Sequence, residues 1–106
     1  MGGFIKGCKC IGYASGYNGA TAENIVGVGS ETLFQNITAN NNTALGYRAA
    51  GNLTTGDTNT CVGFNAGKAL TGEGNVAIGS NALASGDTEA NHVAIGKNAL
   101  KLLNIG

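Results

Sequence analysis

The sequence predicts an all-β solenoid, a parallel β-roll in which one short unit is stacked on copies of itself. Three features predict it: a glycine that returns every 17 or 16 residues, an alternation of side-chain size before each glycine, and turn-forming residues between the copies. The pattern covers nearly the whole chain of 106 residues, so we expect one repeat domain over residues 1–106, with an end segment at 101–106. The repeat glycines are Gly12, Gly29, Gly46, Gly63, Gly79 and Gly96.

The residues before each repeat glycine alternate with a period of two, which is typical of a β-strand. In Thr43-Ala44-Leu45-Gly46, Thr43 and Leu45 share one face and Ala44 lies on the other. Neither face is consistently polar, so we expect strands that are buried on both sides, with a second surface covering the face outside the roll. Two columns are expected to pack in the core or at a trimer contact. One is small (Cys10, Gly27, Ala44, Cys61, Ala77, Ala94), and the next is aliphatic (Ile11, Val28, Leu45, Val62, Ile78, Ile95).

A second segment rich in small residues follows each strand, and a polar loop follows that segment. Ala49-Ala50 and Ala66-Gly67 are examples of the segment, and Thr71-Gly72-Glu73-Gly74 is a loop with residues typical of tight turns. Two short strands and two turns fit into 17 residues, so we expect two strands in each coil of the solenoid. The recurring glycine is expected where neighbouring backbones approach closely.

Composition argues against several classes of protein. The net charge is zero and the six basic residues are scattered, whereas a nucleic-acid-binding protein needs a basic patch. No apolar run is long enough for a membrane-spanning helix, so we expect no membrane insertion. Glycine does not recur at every third position and proline is absent, which excludes collagen.

Four copies share the pattern Asn-x-small-aliphatic-Gly-x-x-Ala; they begin at Asn42, Asn59, Asn75 and, with histidine in place of asparagine, His92. These copies resemble the head repeats of trimeric autotransporter adhesins of the YadA type, and equally the related repeats of phage and other viral tail fibres. The resemblance covers about residues 8 to 100. In the first two copies, Cys8 and Ile25 stand where asparagine recurs later.

The resemblance implies a left-handed parallel β-roll assembled as a homotrimer, with a role in adhesion or host attachment. We favour a non-enzymatic structural or attachment module of a viral (phage) tail fibre, located in the virion. The partners would be two further copies of this chain and a host cell-surface glycan or protein receptor. The head of a bacterial surface adhesin is one alternative, in which case we expect this chain to be a fragment that the stalk and anchor would follow, and an inert structural spacer is another.

Most side chains capable of chemistry receive a structural interpretation. Cys10 and Cys61 share a slot three coils apart, too far for a disulfide within one chain, so we expect free thiols that fill the core. Copies of Cys10 meeting on a threefold axis are the alternative. His92 occupies the asparagine slot, where a side chain can hydrogen-bond along the stack. We therefore expect no catalytic residue, no cofactor and no metal site.

Acidic and aromatic residues leave two alternatives open. Solvated turns are favoured over calcium binding for the four loop carboxylates, which are Asp57, Glu73, Asp87 and Glu89. Tyr13, Tyr47 and Phe64 share the slot after the repeat glycine, either as a stacked structural ladder or as an exposed platform for sugars or another receptor. These three aromatics are the candidate binding residues. The apolar end segment is expected to form a trimer contact.

Overall fold

The computed structural model describes residues 9–17, 23–35, 38–53, 55–84 and 90–100. All regular secondary structure in these residues is β, in six strands of three residues. The strands form one parallel sheet in chain order, so the predicted all-β parallel solenoid is confirmed. The end segment 101–106 lies outside the described residues. The strands are β1 (Lys9–Ile11), β2 (Val26–Val28), β3 (Thr43–Leu45), β4 (Thr60–Val62), β5 (Val76–Ile78) and β6 (Val93–Ile95).

Each strand pairs with the next in an unbroken register. Ala44 lies opposite Cys61, and Ala77 lies opposite Ala94. The coil that is one residue shorter keeps this register, because the deletion falls between β4 and β5 rather than inside a strand. Every described coil therefore presents equivalent residues at equivalent places, within a body of 38 × 20 × 15 Å.

The repeat glycines lie where the backbones of successive coils are in contact. Their φ angles are +121° to +127°, a region that side chains rarely adopt. A Cβ atom at Gly63 would lie 2.8 Å from the carbonyl carbon and oxygen of Gly79. No other residue type fits this place without separating the coils.

The second strand expected in each coil is not found in the described residues. Ala49 and Ala50 lie in a turn, and Ala50 has φ +52°. Arg48, two positions earlier, has φ +60°, so left-handed residues alternate with others and the backbone bends instead of extending. Hydrogen bonds between coils persist nevertheless: the Ala50 N–H donates to the Ala66 carbonyl at 2.9 Å.

The small column faces the interior of the solenoid. Ala44, Cys61 and Ala77 are fully buried, and Ala94 is 2% exposed. The interior is thin, because most of the buried cluster consists of alanines, from the strands and from the turns that follow them, with a few larger apolar side chains among them. The larger core residues are Ile25, Leu33, Leu53, Leu70 and Leu83.

A ladder of buried asparagine side chains joins successive coils. The Asn42 side-chain oxygen accepts the main-chain N–H of Asn59 at 2.7 Å, and Asn59 accepts that of Asn75 at 2.8 Å. Asn75 in turn accepts the main-chain N–H of His92 at 2.8 Å. The amide nitrogens of Asn42 and Asn59 donate to loop carbonyls, so each amide joins its own loop to the next coil.

Candidate interaction surface

The outward side chains of the six strands form one continuous apolar surface, which we call the aliphatic face. Because side chains alternate along a strand, the residues on both sides of each buried small residue point outward. Five of the large members are exposed, Ile11 and Ile95 by 66%, Val93 by 63%, Leu45 by 47% and Val26 by 39%. The other four, Val28, Val62, Val76 and Ile78, are half-buried. Within one chain the coil interior covers only the small column, so the predicted burial of the other face requires a second surface outside the chain.

The aliphatic face is two columns wide and follows the sheet from β1 to β6. One column is wholly aliphatic (Ile11, Val28, Leu45, Val62, Ile78, Ile95). The other column is mixed and consists of three valines (Val26, Val76, Val93) and three polar residues (Lys9, Thr43, Thr60). Soluble proteins rarely leave a contiguous apolar surface of this kind uncovered, and such surfaces mark interaction sites. The other column that we considered for a trimer contact, including Cys10 and Cys61, belongs to the interior side, so clustering of Cys10 on a threefold axis does not fit.

The candidate aromatics lie beside the aliphatic face and are exposed, Tyr13 by 78%, Tyr47 by 41% and Phe64 by 48%. The rings of Tyr47 and Phe64 stack with centroids 5.7 Å apart and an interplanar angle of 16°. Ser30 occupies the equivalent position between Tyr13 and Tyr47, so the structure brings together two of the three candidates and not the third. The stacked pair is both a ladder and an accessible aromatic surface.

A second aromatic pair lies on another side of the coil and was missed from the sequence. Tyr17 and Phe34 stack with centroids 5.1 Å apart and an interplanar angle of 6°. Their separation by one repeat length, the same as between Tyr47 and Phe64, was the signal that could have revealed them.

Arg48 connects the two aromatic regions. Its Nε donates to Glu31 Oε1 at 2.9 Å, and its guanidinium carbon lies 5.0 Å from the centre of the Tyr47 ring. The hydrogen bond to Glu31 is the largest cause that raises the pKa of Arg48 above its usual value, and the interaction with Tyr47 adds to it. The hydrogen bond to Glu31 and the contact with the Tyr47 ring together hold the Arg48 guanidinium against the surface of the coil.

The cysteines differ in their state. Cys61 is a free, buried thiol, and burial raises its pKa to about 12. Cys10 is disulfide-bonded, so the expectation that it is a free thiol was wrong. That expectation rested on the distance between the slots of Cys10 and Cys61, which bears on that pair alone. Cys8 lies outside the described residues.

Asp57 is not simply a solvated turn residue. It is half-buried, and its Oδ1 accepts the main-chain N–H of Asn40 at 2.7 Å. Glu73 is exposed, while Asp87 and Glu89 lie outside the described residues. Within the described ranges, no three His, Cys, Asp or Glu side chains converge as metal ligands would.

Comparison with protein families, curated proteins and solved structures finds no match to this chain. Within the described part of the chain, no helix has the length and apolarity needed to cross a bilayer. The case for function therefore depends on the repeat pattern and on the surfaces of the solenoid.

Proposed function

We propose that this chain is a non-enzymatic structural and attachment module of a homotrimeric fibre, with a left-handed β-roll in each subunit. The observation that supports the proposal most directly is the aliphatic face, in which one column is aliphatic in every strand from the first to the last. It runs parallel to the stacking direction, so identical chains side by side would cover one another along their whole length.

The energetic argument follows from exposure. Fully burying a Val, Leu or Ile side chain contributes roughly 1.5 to 3 kcal/mol. Ile11, Leu45 and Ile95 are about half to two-thirds exposed, so covering each contributes on the order of 1 to 2 kcal/mol. A closed ring of three subunits leaves no copy of the face uncovered, since each chain both covers and is covered.

The attachment role is supported by the exposed aromatics and by the geometry of a fibre. Three copies of a weak site on one rigid particle bind a cell surface together, and their avidity exceeds the affinity of one site. Tyr13, Tyr47 and Phe64 are the proposed contact residues for a host glycan or protein receptor. We favour a viral tail fibre in the virion; a bacterial surface adhesin is the alternative with the same architecture.

Light scattering on the purified full chain tests the trimer. The expected mass is three times that of the 10.5 kDa chain. Leu45→Glu should dissociate the particle, because it places a charge on the aliphatic face. Thr55→Glu, with the same new charge on an exposed loop, should leave the mass unchanged. A wild-type monomer, or equal behaviour of the two variants, would refute the proposal.

Binding of the isolated particle to cells and to a glycan array separates an attachment module from an inert spacer. Loss of binding in Tyr47→Ala, with the trimer mass retained, supports attachment through the aromatic surface. A trimer that binds neither cells nor glycans would identify the chain as a spacer.

A further inference from the structure

A groove interrupts the second aromatic column of the solenoid. Positions 17, 34, 51 and 68 are equivalent in successive coils, and they hold Tyr17, Phe34, Gly51 and Lys68. The first two rings stack at 5.1 Å, but at the third level there is no side chain. The resulting cavity of about 280 Å³ is bounded by Phe34 on one side and Lys68 on the other, with Gly51 between them.

The spacing of the coils makes this gap the size of one ring. The Gln35 N–H donates to the Gly51 carbonyl at 3.0 Å, and the Asn52 N–H donates to the Lys68 carbonyl at 2.8 Å, so the coils stay in register across the gap. Successive coils of a parallel stack are about 4.8 Å apart. A flat group on the free face of Phe34 would therefore occupy the level of Gly51, where the column lacks its third ring.

The charges around the groove favour an anion. Arg48 and Glu31 form an ion pair at 2.9 Å, which leaves the terminal guanidinium nitrogens of Arg48 able to donate further. Among the described residues, no carboxylate lies within ion-pair distance of the Lys68 ammonium. Two cations and one carboxylate line the same groove, so its local charge is positive although the whole chain is neutral.

We propose that this groove binds one pyranose ring of an acidic saccharide, such as a uronic acid residue. The C–H face of the sugar would lie on Phe34, its carboxylate would meet Lys68 and Arg48, and its hydroxyl groups would reach the exposed amide at the rim, Asn52. The cavity is at the small end of ligand sites, which suits a single ring rather than a larger ligand.

An acidic sugar fits this arrangement better than a nucleotide. A nucleobase would also stack on Phe34, but nucleic acid binding requires cations that follow a phosphate backbone, and this chain has no net positive charge. The inference gives the attachment role proposed above a ligand class and rests on that role for its biological meaning. The groove itself is lined by residues of one chain, and none of them belongs to the six strands that carry the aliphatic face.

Amide NMR titrations of the full chain test the groove. The probes are methyl β-D-glucuronide, its uncharged counterpart methyl β-D-glucoside, and thymidine 5′-monophosphate. The expected result is millimolar binding of the glucuronide, at least about tenfold tighter than that of the glucoside, with the largest shifts at Gly51 and Asn52. Equal binding of the two sugars, no binding of either, or tighter binding of the nucleotide overturns the proposal.

Matched variants assign the contacts. Lys68→Gln should lower the glucuronide affinity and reduce its advantage over the glucoside, with Arg48 retaining part of that advantage, whereas Lys97→Gln, an exposed lysine elsewhere, should change the affinity less than about twofold. Phe34→Ala should abolish binding of both sugars. Because Lys68 is partly exposed, its variant remains informative even if Phe34→Ala fails to fold. Equal effects of Lys68→Gln and Lys97→Gln overturn the assignment.

The same samples, measured by light scattering, keep the two proposals apart. A trimer that does not bind the glucuronide refutes the groove and leaves the fibre intact. A monomer that binds it refutes the fibre and leaves the groove.

Discussion

Alanine at position 63 tests whether backbone contact between coils explains the repeat glycine. Gly63 and Gly96 have nearly the same φ, +127° and +126°. At Gly63 a Cβ atom would lie 2.8 Å from backbone atoms of Gly79, whereas at Gly96 it would meet nothing within 4 Å. Gly63→Ala therefore suffers both backbone strain and a steric clash, and Gly96→Ala suffers the strain alone.

The size of the difference follows from the distances. Strain at a residue forced into a sparsely populated region costs about 1 to 3 kcal/mol in both variants. Ordinary contact begins at 3.4 Å, so the coils must separate by about 0.6 Å to accommodate the added methyl group. The two nearest hydrogen bonds, Gly79 N to Val62 O at 2.7 Å and Asn81 N to Phe64 O at 2.8 Å, would then exceed the usual range. Weakening them costs about 0.5 to 1.5 kcal/mol each, so Gly63→Ala should cost about 1 to 3 kcal/mol more than Gly96→Ala.

Urea unfolding followed by circular dichroism, at one fixed protein concentration, measures both variants. The coil of β6 is terminal among the described coils, and a change there has less effect if that coil frays. Ala77→Leu and Ala94→Leu overpack equivalent buried slots in the coils of β5 and β6. The difference between their unfolding free energies is the scale for this effect of position. If Gly63→Ala and Gly96→Ala differ by no more than that scale, the close-approach explanation is refuted.

Three further predictions concern the interior. Ala77→Leu should destabilise the fold by about 1 to 3 kcal/mol through overpacking, and a variant as stable as the wild type in thermal unfolding would contradict the packing described. Asn59→Ala should cost about 2 to 4 kcal/mol, because it leaves the Asn75 N–H and one loop carbonyl without their partner, while the exposed Asn52→Ala should change the unfolding free energy little. Cys61 should resist iodoacetamide in the folded protein and react in urea. Burial raises the pKa of the Cys61 thiol to about 12. The stabilisation that depends on the protonated thiol is therefore complete below about pH 8.5 and is lost as the pH rises towards 12. A Cys61→Ala variant with the same alkaline unfolding profile as the wild type would contradict the last prediction.

The sequence was sufficient for the period, and for the strand before each repeat glycine and its register. The repeat glycine predicts the close contact at its position. A glycine that recurs at one place in every coil indicates a backbone contact that leaves no space for a side chain. The asparagine slot was equally informative, because a buried amide recurring at the repeat length has its partner in the next coil. The register survives Ile25 in that slot, since the main-chain bonds between coils do not depend on the amide.

The sequence could not assign the two faces of the strand. The small column and the aliphatic column both lack polar residues, so polarity does not show which of them faces the interior. That depends on the width of the coil, which is set by the turns. Those turns use left-handed residues. Asn65, Asn81 and Asn98 signal this conformation, since asparagine tolerates it, but Leu33 and Leu83 adopt it without any signal in their residue type. The residue types of the second segment therefore predict a strand where the structure has a turn.

Because the interior is thin, the interactions that stabilise the folded coil differ from those that would stabilise an assembly of chains. The inner side of each strand carries alanine, cysteine or glycine, so a coil gains little from burying its strand and depends on the hydrogen bonds that run from coil to coil. The largest side chains of the strands lie on the aliphatic face, where they contribute to stability only when another surface covers them. Changes inside the coil, such as Ala77→Leu, should therefore alter unfolding, whereas Leu45→Glu should alter association while the coil remains folded. If Leu45→Glu instead unfolds the chain at every concentration, the aliphatic face is needed by the single coil and this separation is wrong.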